Sequence, residues 1–549
     1  MSELLKLIHN LRQGSTTSVQ SGLELSGLDK YLHIKRDIED ILCAKMNEIS
    51  EENGGIVLLI GSAGDGKSHL VSTIRQNEKY CGYSFYNDAT ESSSPTKTAV
   101  DTLKEILVDY DDEHIHTTHK KLVLNINHGK LNTFIEDSEV CDQYSYLRSV
   151  VSKIYNNQVE EEVKEEKRIK LVQFNNVQIF EFNKSNKDDY PVDSVFMKKF
   201  INKLTIKDPI KNPFYNAYIK SKPKDPNQFD PLIFNYELLS KPEVQDCIIK
   251  YIIEAIIRFK LMVTPREFQD FLYSILVYQN IDTYSENKDF VDSLLPSMMF
   301  NGKRSKIQCV LSQLDPLRYS STEHDNDLAL LFTSQSVPHS YLNIDDFSPS
   351  FKEKVNLLFH KKNLEIVQMI FRLKHLYVYH SESSEYKAFV NVLRNLYNRK
   401  YEDVVSLFQI VGNVIPRHYG SYSSPENAVP LNIQGSHYKL FARIDMIPND
   451  YRIIYNSPND FSLKIRLIWT VHNEEIILPI DYNLYEYLIR LNKGRLSLNY
   501  ESDKNMTFSR FIRNLVKLSN DESEIIVMTE KNQKFKLTKL LNTLSYKPC

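Results

Sequence analysis

The fold of this chain is decided by residues 56–75, which read IVLLIGSAGDGKSHLVSTIR. Residues 61–68 within this stretch match the complete Gly-x-x-x-x-Gly-Lys-Ser pattern of a phosphate-binding loop. The five residues before the loop are apolar and mostly β-branched, which predicts a buried parallel strand. The residues after it have the pattern of a helix. A strand, a glycine-rich loop and a helix in this order place backbone N–H groups and a helix N-terminus around a polyphosphate.

The loop and one later helix supply the predicted nucleotide site. We expect Lys67 to reach the β- and γ-phosphates of a nucleoside triphosphate and the Ser68 hydroxyl to ligate Mg²⁺. A chance glycine-rich turn would also match the letters, but the spacing and both flanks favour the loop. The predicted nucleotide-binding residues are Gly61, Gly64, Asp65, Gly66, Lys67, Ser68, His69 and Arg266, and Ser68 is the predicted metal ligand.

Hydrolysis would require a carboxylate that orients the metal and a group that positions the attacking water. Both groups usually follow the third strand of such a sheet, predicted here at residues 122–126. Asn127 stands where Asp is expected, and His128 stands where Glu is expected. Asn127 carries no negative charge for Mg²⁺, whereas His is a base suited to neutral pH. The sequence leaves open whether the site hydrolyses nucleotide, alone or with a partner, or binds it with little turnover.

Three further polar positions complete the predicted site. Glu91, with Asp88 beside it, follows the second predicted strand and could replace the missing acid, although this segment is equally typical of a loop and helix cap. The predicted catalytic residues are therefore His128, Asn127 and Glu91. Asn175 follows the fourth strand and could sense the γ-phosphate. Arg266 opens a helix where a helical lid is expected, and a surface Arg in a first helical turn is the alternative.

The 549 residues exceed one ordinary core, and we predict three domains. Residues 1–230 form the nucleotide-binding domain with N-terminal helices, residues 231–425 a helical lid and middle domain, and residues 426–549 a smaller mixed α/β domain. The first domain is expected to be α/β, a P-loop NTPase fold with a three-layer parallel sheet, and a Pro- and Lys-rich long loop is predicted at 209–231. A helix is also predicted just before the strand at residues 56–60. This makes the first domain similar to ATPases of the AAA+ type, in which that helix lies beside the base of the nucleotide.

Composition limits the function classes. The net charge of −3 gives no global basic field, so any DNA contact requires a local patch or a partner. Lysines near the C-terminus, at 531, 534, 536 and 539, could touch phosphates, but we expect them to protect an exposed strand edge. The six cysteines show no metal-binding spacing, and no apolar run is long enough to span a bilayer. These features predict a reduced cytoplasmic protein.

Six segments in a fixed order resemble one family of proteins. They are Gly61–Leu70 (GSAGDGKSHL), Tyr86–Ser92 (YNDATES), Asn212–Tyr218 (NPFYNAY), Thr264–Glu267 (TPRE), Leu314–Arg318 (LDPLR) and Leu431–Arg443 (LNIQGSHYKLFAR). The chain thereby resembles, from about residue 27 onward, the ATPase-like F component (DptF or DndF family) of DNA phosphorothioation-dependent restriction systems. The loop motif alone is shared by very many NTPases, whereas the ordered set is much more specific.

The resemblance implies a defence role in which this chain uses ATP and Mg²⁺ and works with two partners, the G and H components. Such a complex restricts DNA that lacks the sulfur-for-oxygen backbone modification. Relatives often carry Glu at the position of His128, which puts the base assignment and autonomous turnover in question. Because no nuclease constellation is visible, the expected role is a nucleotide-driven switch or motor. A non-hydrolysing ATP-binding scaffold is the alternative, a small-molecule kinase a weaker one, and a homo-oligomer stays open.

Overall fold

The computed structural model describes most of the chain, in two compact units. The described residues are 2–17, 27–62, 64–86, 99–137, 140, 142–155, 167–174, 179–183, 190–343, 346–379, 381, 383–418, 428–431, 438–444, 446–449, 463–471, 473–495, 505–519, 524–529, 533–540 and 543–548. Unit 1 comprises Met1–Glu181, Ser194–Ile256 and Leu261–His380. Unit 2 comprises Phe182–Asp193, Ile257–Lys260 and Ser381–Cys549. The division into three domains stays a prediction.

A four-stranded parallel sheet organises the first part of unit 1. Its strands are β1 (Gly55–Gly61), β2 (Tyr83–Tyr86), β3 (Lys121–Asn127) and β4 (Ile169–Gln173), in the order β2-β3-β1-β4. Every residue of β1 is buried, as its apolar sequence predicts. The sequence predicts strands at residues 56–60, 83–86, 122–126 and 169–174, and all four are present. The mixed α/β class with a parallel sheet is therefore confirmed.

Helices cover both faces of this sheet. They are α3 (Asp37–Glu51), α4 (Lys67–Arg75), α5 (Ala99–Leu107), α6 (His128–Glu136) and α7 (Ser145–Tyr155). Two earlier helices, α1 (Glu3–Thr17) and α2 (Gly27–Leu32), pack instead on helices later in the chain. One apolar core joins α5, α6 and α7 to alternate residues of β1 and β3, such as Leu58 and Leu124. The other core joins α3 and α4 to the strand residues that point to the opposite face, such as Val57 of β1 and Val123 of β3. Because successive strand residues face opposite sides, β1 serves both cores.

The middle of the chain is helical. After the two-residue strands β5 (Glu181–Phe182) and β6 (Val192–Asp193), which pair with each other, come α8 (Val195–Thr205), α9 (Pro213–Ser221), α10 (Pro231–Leu239), α11 (Pro242–Phe259), α12 (Pro265–Leu276), α13 (Glu286–Asp289), α14 (Leu295–Asn301), α15 (Lys306–Leu311), α16 (Thr322–Thr333), α17 (Pro349–His360), α18 (Leu364–His375), α19 (Ser384–Tyr397) and α20 (Glu402–His418). Short 3₁₀ turns span Glu78–Tyr80, Val108–Tyr110, Ile281–Thr283, Ser312–Leu314 and Pro316–Arg318.

The predicted long loop at 209–231 is wrong, because α9 forms inside it. The Asn212 side chain accepts hydrogen bonds from the N–H groups of Phe214 and Tyr215, and Pro213 occupies the first helical turn. Asn as N-cap followed by Pro is a start signal for a helix. The Pro and Lys content of the segment concealed that signal. Within the described residues, no helix combines the length and apolar character needed to cross a membrane.

The described residues of the C-terminal part form antiparallel sheets and two helices. Its elements are β7 (Ala428–Pro430), β8 (Tyr438–Arg443), β9 (Ile447–Pro448), β10 (Ile465–Val471), β11 (Glu474–Ile480), α21 (Tyr482–Asn492), α22 (Met506–Ser519), β12 (Glu524–Thr529), β13 (Lys534–Leu540) and β14 (Thr543–Pro548). They form a β11-β10-β9 sheet and a β14-β13-β12-β8-β7 sheet. The lysines at 534, 536 and 539 lie on β13, which pairs on both sides, and Lys531 lies outside the described residues. The interpretation of the β13 lysines as edge protection is therefore wrong.

Candidate functional site

The loop between β1 and α4 has a backbone that only glycine adopts readily. Gly64 and Gly66 both have φ +87°, in the left-handed region. Gly66 is the N-cap of α4, and a Cβ there would lie 2.9 Å from Nη2 of Arg36. A Cβ at Gly61 would lie 2.7 Å from the side chain of Phe174. The three motif glycines are therefore required by backbone conformation or by close packing.

Two side chains of the loop form hydrogen bonds to the loop's own backbone. The Asp65 carboxylate accepts a hydrogen bond from the Ser62 N–H at 2.5 Å, and the buried Lys67 donates its Nζ to the Ser62 carbonyl at 2.5 Å. Burial raises the pKa of the Asp65 carboxyl, although Lys67, the Ser62 N–H, Arg36 and His128 act in the opposite direction. The loop thus holds one buried ammonium group beside a partly desolvated acid.

The predicted metal ligand Ser68 contacts a residue that the sequence did not single out. Asn125 of β3 donates its Nδ2 to Ser68 Oγ at 3.2 Å, and its side chain is buried. Asn125 is paired with Leu59 across β3 and β1. A polar Asn inside the apolar run of residues 122–126 was the available signal. The side chain that meets the Ser68 hydroxyl is thus two residues before the predicted Asn127.

Asn127 and His128 lie at the point where β3 becomes α6. Asn127 ends β3 and is paired with Gly61, the first residue of the motif, so the two backbones are neighbours in the sheet. His128 is the first residue of α6, and its charge acts on the Asp65 carboxyl. Both side chains are partly buried. The structure therefore brings these two predicted residues to the loop.

The N-terminus of α12 also reaches the loop. Thr264 caps this helix with a capping box completed by Glu267, and a Cβ placed on Gly64 would lie 3.1 Å from Thr264 Oγ1. Arg266 occupies the first turn. Its charge acts on Asp270 one turn further along, where burial raises the pKa of the carboxyl and Arg266 opposes that rise. The helix expected to form the lid thus begins at the loop.

His69, the next predicted residue, faces a second histidine. Its Nε2 is 3.0 Å from Nδ1 of His33, and the other nitrogen of His33 is 3.2 Å from the Glu39 carboxylate. Burial, reinforced by the charges of His33 and Arg36, lowers the pKa of His69 to about 4. His69 is therefore neutral at physiological pH. Its contact connects the first turn of α4 to the segment before α3.

The same segment contributes Arg36, which sequence reasoning also missed. Its Nη1 donates to the Asp65 carbonyl at 3.1 Å, and its guanidinium lies 5.4 Å from the centroid of the Phe174 ring. Burial lowers the pKa of this guanidinium, although nearby Asp65 and Glu39 favour its charge. No local motif marks an Arg at the N-cap of α3, so only the folded arrangement shows it at the loop.

Three helix N-termini therefore surround one loop, those of α4, α6 and α12. Each carries a partial positive charge and backbone N–H groups without intrahelical partners. Lys67 and Arg36 add two full positive charges, which are opposed by the carboxylates of Asp65 in the loop, Glu39 beside Arg36 and Glu267 in the first turn of α12. This arrangement can bind an anion with several oxygen atoms.

Three further observations concern the surroundings of the loop. Among the described residues, no group of three or more His, Cys, Asp or Glu side chains is placed to hold a metal ion. The predicted Glu91, Asp88 and Asn175 lie outside the described residues. Beside the segment of His33 and Arg36, which contacts the loop, an open cavity of about 350 Å³ is lined by Tyr31, Ile34, Lys203 and Ile206, among others.

Comparisons with known proteins find no relative that would identify this site. No protein-family model matches the chain, no curated protein is significantly similar to it, and no solved structure matches it. Function is therefore inferred from the residues and contacts at the loop.

Proposed function

We propose that this chain binds ATP with Mg²⁺ at the loop between β1 and α4, and that it has a P-loop NTPase fold of the AAA+-like kind. The observation that carries the proposal is the meeting of Lys67 with three helix N-termini at a loop whose glycines have left-handed backbones. The motif alone is a pattern of letters. Its conformation and surroundings supply the electrostatics that a polyphosphate requires.

The residues of the loop fit a magnesium nucleotide. With nucleotide bound, Lys67 would exchange its hydrogen bond to the Ser62 carbonyl for phosphate oxygens, and the Ser68 hydroxyl, which accepts a hydrogen bond from Asn125, would ligate Mg²⁺. Gly64 and Gly66 allow the backbone to approach the phosphates without a Cβ. When bound, the nucleotide supplies a phosphoanhydride bond whose cleavage releases free energy.

The cavity beside the loop is a suitable place for the base of the nucleotide. Tyr31, Ile34 and Ile206 give it apolar surface, and the rest of its lining is polar, formed by His33, Lys35, Lys199, Asn202 and Lys203. His33, also in its lining, contacts His69 in the first turn of α4, so the cavity adjoins the phosphate loop. A planar base would bury apolar surface here while its phosphates lie at the loop.

Hydrolysis by an ATPase subunit is the leading proposal, and a non-hydrolysing scaffold is the second candidate. The scaffold is favoured by one specific observation: the side chain that contacts Ser68 is the amide of Asn125, which brings no negative charge to a metal. Asp65 is bound to the loop backbone through Ser62. Efficient turnover would then require Glu91, His128 or a residue from a partner.

At the level of the cell, we propose that the chain is a subunit of a DNA phosphorothioation-dependent restriction complex in the cytoplasm. It would act as a nucleotide-driven switch or motor beside the G and H components, with cutting of unmodified DNA left to a partner. The ordered set of segments from Gly61–Leu70 to Leu431–Arg443 supports this role. The start of α12 at the loop supports a lid whose position depends on the nucleotide.

Substitution of the loop lysine tests the nucleotide site. We expect Lys67→Ala to abolish Mg-ATP binding, because it removes the buried ammonium group of the loop. Isothermal titration calorimetry measures the affinity, and thermal unfolding without nucleotide shows that the variant is folded. Lys79→Ala, which removes an exposed lysine after α4, is the matched control. An unaltered affinity of Lys67→Ala for Mg-ATP would contradict the assignment of the nucleotide site to this loop.

Steady-state hydrolysis separates the two candidates. Turnover by the wild type, absent from Lys67→Ala, establishes an ATPase. Tight binding without turnover establishes the scaffold or a site completed by a partner. Repeating both measurements with unmodified DNA and with the partner subunits tests the restriction role, which predicts that turnover or affinity changes in their presence.

A further inference from the structure

Arg36 contacts the loop through the backbone of Asp65. Its hydrogen bond goes to the backbone carbonyl of Asp65 rather than to the carboxylate of that residue. Among the described residues, this is the one hydrogen bond of its guanidinium. The contact therefore acts on the peptide group that joins Asp65 to Gly66.

Orientation of that peptide group follows from its geometry. The structure contains no cis peptide bond among its described residues, and in a planar trans peptide the C=O and N–H bonds point in opposite directions. Because Arg36 holds the Asp65 carbonyl on its own side, the Gly66 N–H points away from Arg36. Gly66 is the N-cap of α4, so this N–H lies with the free N–H groups that open the helix.

Arg36 is itself held in place. Its guanidinium packs on the Phe174 ring, and Nη2 occupies the space that a Cβ on Gly66 would need. A charged donor on the carbonyl also polarises the peptide, which makes the opposite N–H a stronger donor. Position, orientation and polarity of one backbone donor thus depend on a single side chain.

We propose that Arg36 is a positioning residue of the nucleotide site, which holds the Asp65–Gly66 peptide so that the Gly66 N–H faces the phosphates. The inference rests on the proposed function, since it assumes that the loop binds a polyphosphate. Arg36 acts through the backbone and does not itself need to contact the nucleotide.

The test compares Arg36→Gln and Arg36→Lys with Lys120→Gln, which changes an exposed lysine just before β3 that pairs with Asp109. Calorimetry measures the affinity for Mg-ATP and Mg-ADP. In ligand-free protein labelled with ¹⁵N-glycine, the amide signal of Gly66 is one of 15 and reports the polarisation of the peptide directly.

We expect Arg36→Gln to weaken both nucleotides by a similar factor of about tenfold or more, the usual effect of losing a hydrogen bond to a charged group. Arg36→Lys retains a charged donor and should recover part of the affinity. The Gly66 amide signal should move in the Arg36→Gln variant more than in the Arg36→Lys variant, and Lys120→Gln should change neither readout. This graded recovery, together with the amide signal, separates positioning from general loss of structure.

Three results would overturn the inference. They are wild-type affinity in Arg36→Gln, an unmoved Gly66 signal, and a loss that grows with the number of phosphates and is fully restored by Lys, which would mean direct charge contact. Failure of the wild type to bind any nucleotide would overturn the proposed function instead. The amide signal distinguishes these cases because it is measured without ligand.

Discussion

At Gly66 the loop depends on the absence of a side chain. Its φ of +87° is one that residues with a Cβ rarely adopt, and the guanidinium of Arg36 fills the space beside it. Gly129, in the first turn of α6, has open space at the same position. Two glycines near one site therefore differ in what a methyl group would do.

We expect Gly66→Ala to lower the free energy of unfolding by about 1–2 kcal/mol, the usual cost of a left-handed backbone for an L-residue. Nucleotide binding should fall as well, because Arg36 must move. Gly129→Ala should be neutral or stabilising by up to about 1 kcal/mol, since it removes backbone freedom within a helix. Urea denaturation measures both. Equal effects of the two substitutions would contradict the packing described for Gly66.

Asn125 offers a test of the metal side of the site. Asn125→Asp would place a carboxylate against Ser68 Oγ, where the structure has an amide. We expect this variant to be less stable than the wild type without Mg²⁺, because it buries a charge, and to gain more stability from Mg²⁺ with ATP. Thermal unfolding with and without Mg²⁺-ATP measures both effects.

Asn127→Asp is the matched variant, since Asn127 is the residue that the sequence pattern favoured. It should respond less to Mg²⁺, because no contact of Asn127 with Ser68 is described. A larger response from Asn127→Asp than from Asn125→Asp would reverse the assignment.

The sequence predicted the loop residues because their spacing is local. Glycines, Lys67 and Ser68 lie within eight positions, and the chemistry of each follows from the motif. Arg36 and Asn125 were missed because their roles depend on strand register and on a long-range contact. A local sequence pattern predicts neither the strand register nor the long-range contact.

At the level of elements, the four parallel strands were predictable because short β-branched runs have few alternatives. The start of α6 was not predictable in the same way: the apolar pattern after the third strand predicts a helix from about Asn132, whereas α6 begins at His128. Local apolar periodicity marks where a helix packs, not where its capping turn begins. The same limit concealed α9, whose start signal is Asn212-Pro213.

One histidine joins three elements of unit 2. His418, at the end of α20, has Nδ1 2.6 Å from the Tyr487 hydroxyl on α21 and Nε2 3.1 Å from the Ser509 hydroxyl on α22. Burial lowers the pKa of His418 to about 4. Protonation would add a charge to a buried hydrogen-bonded site, so the folded state favours the neutral form.

This pKa predicts a loss of stability in acid. Between about pH 6.5 and pH 4 the unfolded chain binds a proton at His418 that the folded chain does not, so the free energy of unfolding falls as pH falls. The slope from one such group approaches about 1.4 kcal/mol per pH unit. Urea denaturation from pH 7 to pH 4 measures it.

In His418→Gln the free energy of unfolding should fall less steeply with decreasing pH. His360→Gln, at an exposed position in α17, should keep the wild-type slope. Identical slopes in wild type and His418→Gln would exclude His418 as a source. Because His69 has a pKa lowered to the same value, some pH dependence should remain in both variants.

Over the whole molecule, unit 2 is built from three separate stretches of chain. Two early segments supply some of its contacts. Phe182 packs its ring 5.7 Å from that of Tyr397, and Lys260 forms an ion pair of 2.7 Å with Asp481. Phe182 is buried, although its partner Tyr397 is exposed, and the Lys260 side chain is 62% exposed.

These contacts should contribute unequally to the stability of unit 2. We expect Phe182→Ala to lower its free energy of unfolding by about 3–5 kcal/mol, because it empties a buried aromatic position. Lys260→Ala should cost no more than about 1 kcal/mol, since an exposed ion pair is screened by solvent. Fluorescence of Trp469, the single tryptophan and a buried residue of unit 2, follows the transition. A greater loss from Lys260→Ala would contradict this ranking.

The interrupted order of the chain also matters while the protein is being made. Residues 182–193 leave the ribosome long before their partners, which begin at residue 381. At bacterial and eukaryotic elongation rates of 5–20 residues per second, that interval lasts about 10–40 s. During this time Phe182 and its neighbours have no completed unit to enter, so newly made chains would depend on chaperones that shield apolar segments, and faster or slower codons in between would alter the yield of folded protein.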